Sequence, residues 1–298
     1  MEPTENTPYR ILGHQKKAEV ICQVSILSNP IYNGYMRLIY LLGGLCLPLS
    51  ALAVAPGSAS DTNTPDFNFV GQIGGASGVL VGPDLVLTAK HVGAGTFTMP
   101  GYGSFAAVGG SAVSDPNSDL TLFRINVGAN VLPYTTIDVS TMHAGDSITM
   151  VGFGGSGVLN GFATGYDITI AAGTRRKANA IYEFTEYVYD APSNYLAGNS
   201  LIAPLRQNGQ GALVGGDSGG GWFRNGRLVG TSAFIGTWGN GANFFFSNSN
   251  TDFFASGAIS LSDNAAFLRD HGANVVPEPA SIAVVGLGFA MLVRRRKK

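Results

Sequence analysis

Leu85-Val86-Leu87-Thr88-Ala89-Lys90-His91-Val92 is an apolar run that reads as a strand leading into a histidine. Similar short runs lie on both sides: Phe69-Ile73, Gly78-Val81, Leu120-Ile125, Ser147-Phe153, Asp167-Ala171, Ala180-Val188, Arg227-Phe234 and Asn243-Ser247. Gly, Pro, Asn and Asp separate them, which is how turns punctuate strands. No helix of ten to fifteen residues alternates with these runs, so a βαβ plan is not expected. One late helix is expected at Asp263-His271, with Ser262 or Asp263 as its cap. Many short strands with a terminal helix suit antiparallel barrels better than an open sheet.

Composition narrows the function classes. The chain has 298 residues, 18 basic and 19 acidic, and only 12% are charged, about half the usual ~25%. With 45% hydrophobic residues, a packed core is favoured over disorder. Sparse charge and 42 glycines exclude a long coiled coil. Apolar runs occur only near the two ends, which excludes a polytopic membrane protein. A net charge of -1 gives no reason to expect a nucleic-acid partner.

The two ends read as address signals. Residues 36–55, MRLIYLLGGLCLPLSALAVA, place Met36-Arg37 before an apolar stretch from Leu38 to Leu52. Ala51-Leu52-Ala53 or Ala53-Val54-Ala55 then offers small residues for cleavage, the pattern of a secretory signal peptide. Residues 1–35 are expected to be an extension from an upstream start codon, with Met36 the true start. At the other end, Val276-Pro277-Glu278-Pro279 precedes an apolar run from Ala280 to Val293 and a basic tail, Arg294 to Lys298. These three parts in order resemble the PEP-CTERM sorting signal of Gram-negative bacteria. The resemblance implies transient anchoring in the inner membrane, an exosortase-type processing enzyme as partner, and a periplasmic, surface or secreted destination. Both cysteines, Cys22 and Cys46, precede the proposed cleavage sites, so the mature part is expected to have no disulfide. Residues 56–275 carry 15 acidic and 9 basic side chains, a net charge near -6.

Three segments carry candidate chemistry: the run ending on His91, then Ser118-Asp119-Leu120-Thr121-Leu122-Phe123-Arg124-Ile125, then Gly215-Gly216-Asp217-Ser218-Gly219-Gly220-Gly221-Trp222-Phe223. A serine hydroxyl needs an adjacent base to become a nucleophile, and histidine can serve near neutral pH. In the order His, Asp, Ser, these segments resemble the TAAHC-type, DIALL-type and GDSGG motifs of the chymotrypsin/trypsin-like serine peptidases. The resemblance spans most of Phe69 to His271; Val151-Gly152-Phe153-Gly154 stands where the family has its GWG turn. It implies an all-β fold of two packed antiparallel six-stranded barrels with a short C-terminal helix. It also implies catalytic His91, Asp119 and Ser218, an oxyanion hole from the Gly216 and Ser218 N–H groups, and no cofactor.

The domain plan follows: a flexible lead-in at 56–66, a trypsin-like domain at 67–273 and the sorting segment at 276–298. Counting back from Ser218 puts Ala212 at the base of the substrate pocket, with Ala233 or Phe234 on its wall. No charge sits there, so cleavage after apolar or small residues is expected. Several features depart from the family. Val92 replaces its cysteine, Lys90 adds a charge beside the base, and no IVGG-like start precedes Phe69. Asp217 therefore needs a partner, and the candidates are a processed N-terminus in 56–66, Arg206 or Arg224. Trp222 and Phe244-Phe245-Phe246 read as core, and Arg175-Arg176-Lys177 as a solvated basic loop open to nicking. His143 and His271 lack metal-ligand spacing, and the Gly-x-Gly strings lack the context of a dinucleotide site. The expected function is an exported serine endopeptidase acting on protein or peptide substrates. The alternatives are a non-catalytic surface protein on the same scaffold and an esterase-type acyl hydrolase.

Overall fold

The computed structural model describes residues 54–55, 58–59, 66–162, 164–190, 194–238 and 253–276. The strand Asn243-Ser247, the triple phenylalanine and the sorting segment from Pro277 onward lie outside these residues, as do residues 36–53.

Strand β1 (Ser58–Ala59) precedes a seven-stranded sheet built from β2 (Val70–Ile73), β3 (Ala76–Leu80), β4 (Leu85–Ala89), β5 (Phe97–Met99), β6 (Gly103–Phe105), β7 (Val113–Ser114) and β8 (Leu120–Arg124). Its order is β6-β5-β2-β3-β4-β8-β7, antiparallel throughout. Next come β9 (Ile137–Asp138), β10 (Ser147–Gly152), the hairpin β11 (Ser156–Gly161) and β12 (Gly165–Ile170), β13 (Arg176–Ile181), β14 (Phe184–Asp190), β15 (Tyr195–Pro204), β16 (Gly221–Arg224), β17 (Arg227–Trp238) and β18 (Phe253–Ser260). Helix α1 (Ala265–Asp270) and β19 (Val275–Val276) follow. The second sheet runs β1-β13-β10-β16-β17-β18-β15-β14, with β9 set parallel against β17 and β19.

The architecture is all-β and almost wholly antiparallel, as expected, but among the described residues the strands do not divide six and six. Two-residue strands such as β7, β9 and β19 extend the sheets, and they are too short to carry a periodic signal in the sequence. The run Ala180-Val188 is two strands, not one: Tyr182 and Glu183 break it by donating to the carbonyls of Asp146 and Ile202. The helix begins later than expected. Asn264 is its N-cap, with no side-chain capping bond, so neither Ser262 nor Asp263 caps it. Within the lead-in Ser58 and Ala59 pair with Lys177 and Arg176, and just before it Ala55 bridges Ala212.

Period-two alternation divides the apolar residues among three cores. Along β4, Leu85 and Leu87 enter a core shared by both sheets, together with Val151, Phe223 and Ile259. Val86 points the other way, into the core of the N-terminal sheet with Leu80, Phe97 and Phe123. Hence β4 is buried on both faces. Trp222 is core, as read from the sequence; it packs with Ile148, Met150 and Leu201 inside the second sheet. Strand β4 thus lies where the two sheets meet, and it delivers His91 to the surface just beyond that junction.

Candidate active site

Two backbone anchors fix the end of β4 to the start of β8. Lys90 N–H donates to the Asp119 carbonyl at 3.0 Å, and His91 N–H donates to Asp119 Oδ1 at 2.9 Å. The His91 ring then meets the same carboxylate, Nδ1 to Oδ2, at 2.6 Å. The Asp119 side chain is 3% exposed and that of His91 39%, so the carboxylate is enclosed while the ring opens outward. The turn before Asp119 is closed by Asp115, whose carboxylate accepts from Asn117 N–H and Ser118 Oγ. Lys90 turns aside: its Nζ donates to the Asp115 carbonyl at 3.2 Å.

The turn bearing Ser218 is held from both sheets. Ser77, fully buried on β3, donates Oγ to the Gly216 carbonyl at 2.9 Å and accepts from Phe153 N–H at 2.9 Å. Its own N–H donates to the Ser218 carbonyl at 2.8 Å. From the other side, Asp217 accepts from Gly154 N–H at 2.8 Å and Val214 N–H at 2.9 Å. Gly216 has φ +99°, in the left-handed region that favours glycine. Among the described residues, the N–H groups of Gly216 and Ser218 donate to no protein acceptor.

His91, Gly216 and Ser218 line one cleft of about 620 Å³, bounded also by Ile73, Ala76 and Thr96. Asp119 sits behind His91, away from the cleft lining. No hydrogen bond within 3.5 Å joins Ser218 to His91. A second cavity, about 140 Å³, touches Ser218 and is lined by Leu213, Val214, Gly215, Ala233, Phe234 and Ile235. Ala233 and Phe234, the expected pocket wall, line this cavity. Ala212 does not: it is buried, and its N–H donates to the Ala55 carbonyl at 2.8 Å. Its neighbour Leu213 lines the cavity instead.

Asp217 is 1% exposed, and burial pushes its carboxyl up to about 7, although the two N–H donors and Arg176 pull the other way. Neither arginine proposed from the sequence reaches it. Arg206 pairs with Glu183 at 2.7 Å, and Arg224 pairs with Asp138 and Asp146. The charge that acts on Asp217 is Arg176, whose Nη1 donates to the Gly154 carbonyl at 3.2 Å. This also corrects the reading of the basic triplet as a solvated loop: Arg175 is 1% and Arg176 6% exposed, and Arg176 begins β13.

Two residues at this site were not read from the sequence. Ser77 gives no signal beyond a small polar residue inside an apolar strand. Tyr195, 76 residues from Asp119 in the chain, donates Oη to Asp119 Oδ2 at 2.7 Å. It opens β15, a ten-residue strand whose Gly, Asn and Pro hid it.

Comparison with solved structures finds the Rv3671c protease of M. tuberculosis in an inactive form, at 18% identity and a TM-score of 0.46, covering 70% of this chain and 90% of that one. The active form of the same protease matches at 17% identity and 0.46, covering 66% of this chain and 74% of that one. A mutant of human heparin binding protein (CAP37) matches at 15% identity and 0.47, covering 68% and 90%. Comparison with protein-family models and with curated proteins finds no match.

Proposed function

We propose that this chain is a serine-type endopeptidase. The observation that carries the reading is the His91–Asp119 pair, bonded through both carboxylate oxygens and opening onto the cleft that holds Ser218. In this reading His91 Nε2 takes the Ser218 Oγ proton as Oγ attacks the substrate carbonyl. Asp119 holds the ring and stabilises the imidazolium. The unengaged N–H groups of Gly216 and Ser218 meet the oxyanion, where one donor is typically worth on the order of 3 kcal/mol. The amine leaves with the proton from His91, and water then releases the acyl group by the same route.

A second reading, a non-catalytic binding protein on this scaffold, is favoured by the missing Ser218–His91 hydrogen bond. Such bonds often tighten only around substrate. A fluorophosphonate probe separates the two readings. Wild type is expected to label at Ser218 and Ser218→Ala not at all, with both equally folded. An unlabelled wild type, before and after limited proteolysis, overturns the peptidase reading.

Export and sorting belong to the same proposal and rest on the sequence of residues 36–55 and 276–298. Among the described residues no helix is long and apolar enough to cross a membrane. The cavity lined by Leu213, Ala233, Phe234 and Ile235 supports an uncharged, apolar residue on the acyl side of the cleaved bond. A lysine or glutamate buried there has no counter-charge, which is costly.

A further inference from the structure

The carboxylate of Asp119 has more to do than receive His91. Its Oδ1 accepts the His91 N–H, and its Oδ2 accepts both His91 Nδ1 at 2.6 Å and Tyr195 Oη at 2.7 Å. We propose that Tyr195 is a positioning residue, whose hydroxyl sets the orientation and acceptor strength of Asp119 and, through it, the aim of the His91 ring. This deepens the peptidase reading and rests on it.

Three observations carry the assignment. First, the alternatives are spent. Among the described residues, Tyr195 supplies the only side-chain hydroxyl on Asp119. The buried Ser232 hydroxyl, on the strand beside the cavity, makes no hydrogen bond at all. Second, the tyrosine is itself fixed. Its ring meets His91 edge-on, centroids 6.1 Å apart at 74°, and meets Phe234 in the same way at 6.4 Å and 74°. Aromatic pairs favour this geometry, and each contact removes a rotation the phenol would otherwise have. Third, the donor cannot be lost by ionisation at working pH. Burial and the Asp119 charge push the phenol well above its ordinary range.

The chemistry follows from sharing one acceptor. Oδ2 divides its lone pairs between an imidazole N–H and a phenol O–H, and charge-assisted bonds of this kind are short and directional. Without the phenol, Oδ2 keeps only the His91 ring while Oδ1 stays on the His91 N–H, so the carboxylate loses its one tether outside His91 and the ring gains a freedom that Ser218 catalysis does not tolerate. The chain Phe234–Tyr195–Asp119–His91 also ties the wall of the small cavity to the base by direct contact.

The test is Tyr195→Phe, which keeps the ring and its packing and removes only the hydroxyl. Peptide turnover is expected to fall about tenfold in kcat with KM unchanged, on the scale of one lost hydrogen bond to a charged group. In an Asp119→Asn background the same change should alter kcat less than twofold, because the acceptor it acts through is gone. An equal tenfold loss in both backgrounds, or an unchanged kcat in Tyr195→Phe, overturns the assignment. Proton NMR reads the proposal without turnover. The low-field His91 Nδ1–H resonance should move downfield in Tyr195→Phe as Oδ2 is released to a single donor. An unchanged resonance overturns the role of Tyr195, whereas an unlabelled wild-type Ser218 overturns the peptidase reading. Tyr195→Leu, which removes the ring as well, must lose at least as much kcat; a smaller loss also overturns the proposal.

Discussion

Gly219 shows how narrowly the turn around Ser218 is determined. It has φ +81°, and a Cβ there would lie 2.1 Å from Thr88 Oγ1 and 2.2 Å from the Ser77 carbonyl. The backbone of the turn thus presses directly onto β3 and β4. Gly219→Ala is expected to cost at least about 2 kcal/mol, from left-handed strain plus displaced neighbours. Urea denaturation would measure it, and a loss below about 0.5 kcal/mol would show that the turn can move away. Asp217, two residues earlier, gives a pH signature. Its folded carboxyl is raised to about 7 from an ordinary 3.8, so between those values the folded state keeps a proton that the unfolded state releases. The stability this protonated group contributes is complete below about pH 4 and is lost as pH rises through 7. Asp217→Asn should therefore flatten the decline of the melting temperature between pH 4 and 7; an unchanged slope would assign that decline to other groups. The sequence displayed Asp217 and the need for a partner. It did not display Arg176, because a charged triplet looks solvated until β13 is known to run through the protein interior.

At the level of elements, legibility followed apolar continuity. Strand β4 was legible because Leu85-Val86-Leu87-Thr88-Ala89 carries no charge and no turn residue, and all five prove buried. Strand β15 was missed because Gly198, Asn199 and Pro204 look like turn residues, although they lie in a strand paired with β14 on one side and β18 on the other. Tyr195 was lost with it. The pocket was placed by counting residues, and counting fails at irregular backbone: Ala212 is occupied by its bridge to Ala55, while Leu213 faces the cavity. The register shift between Ser232 and Phe234 sets Phe234 opposite Gly257 on β18, where a Cβ would lie 2.1 Å from the Phe234 ring. Glycine at 257 thus makes room for the ring, and the ring closes one side of the cavity. Phe234→Ala should enlarge the cavity and shift preference toward bulkier acyl-side residues, raising the Phe-to-Ala ratio of kcat/KM about tenfold or more. That is the scale on which a hydrophobic pocket discriminates by size. A panel of peptides differing only at that residue tests this, and an unchanged ratio would mean that Phe234 does not bound the substrate.

For the whole molecule, two sheets with a shared core make the candidate site a property of their junction: β4 and β8 supply His91 and Asp119, and the second sheet supplies Tyr195 and the flank of the Ser218 turn. The order of the three segments already pointed to this arrangement. What it could not show is how residues 54–55 close against the second sheet. Val54 is fully buried in the core with Ile148, Met150, Leu213 and Trp222, and the Ala55 carbonyl accepts from Ala212 N–H. In the export reading proposed above, the two cleavage sites allowed by the small residues are therefore not equivalent. Cleavage after Ala53 leaves Val54 in place; cleavage after Ala55 removes a core side chain worth about 1.5–3 kcal/mol and breaks a backbone pairing. For a domain of this size that loss corresponds to roughly 3–12 °C in melting temperature. A protein beginning at Val54 should thus melt several degrees above one beginning at Pro56, and N-terminal sequencing of the exported form should begin at Val54. An exported chain beginning at Pro56, as stable as the longer one, would show that the buried Val54 is dispensable and that the fold closes at β1.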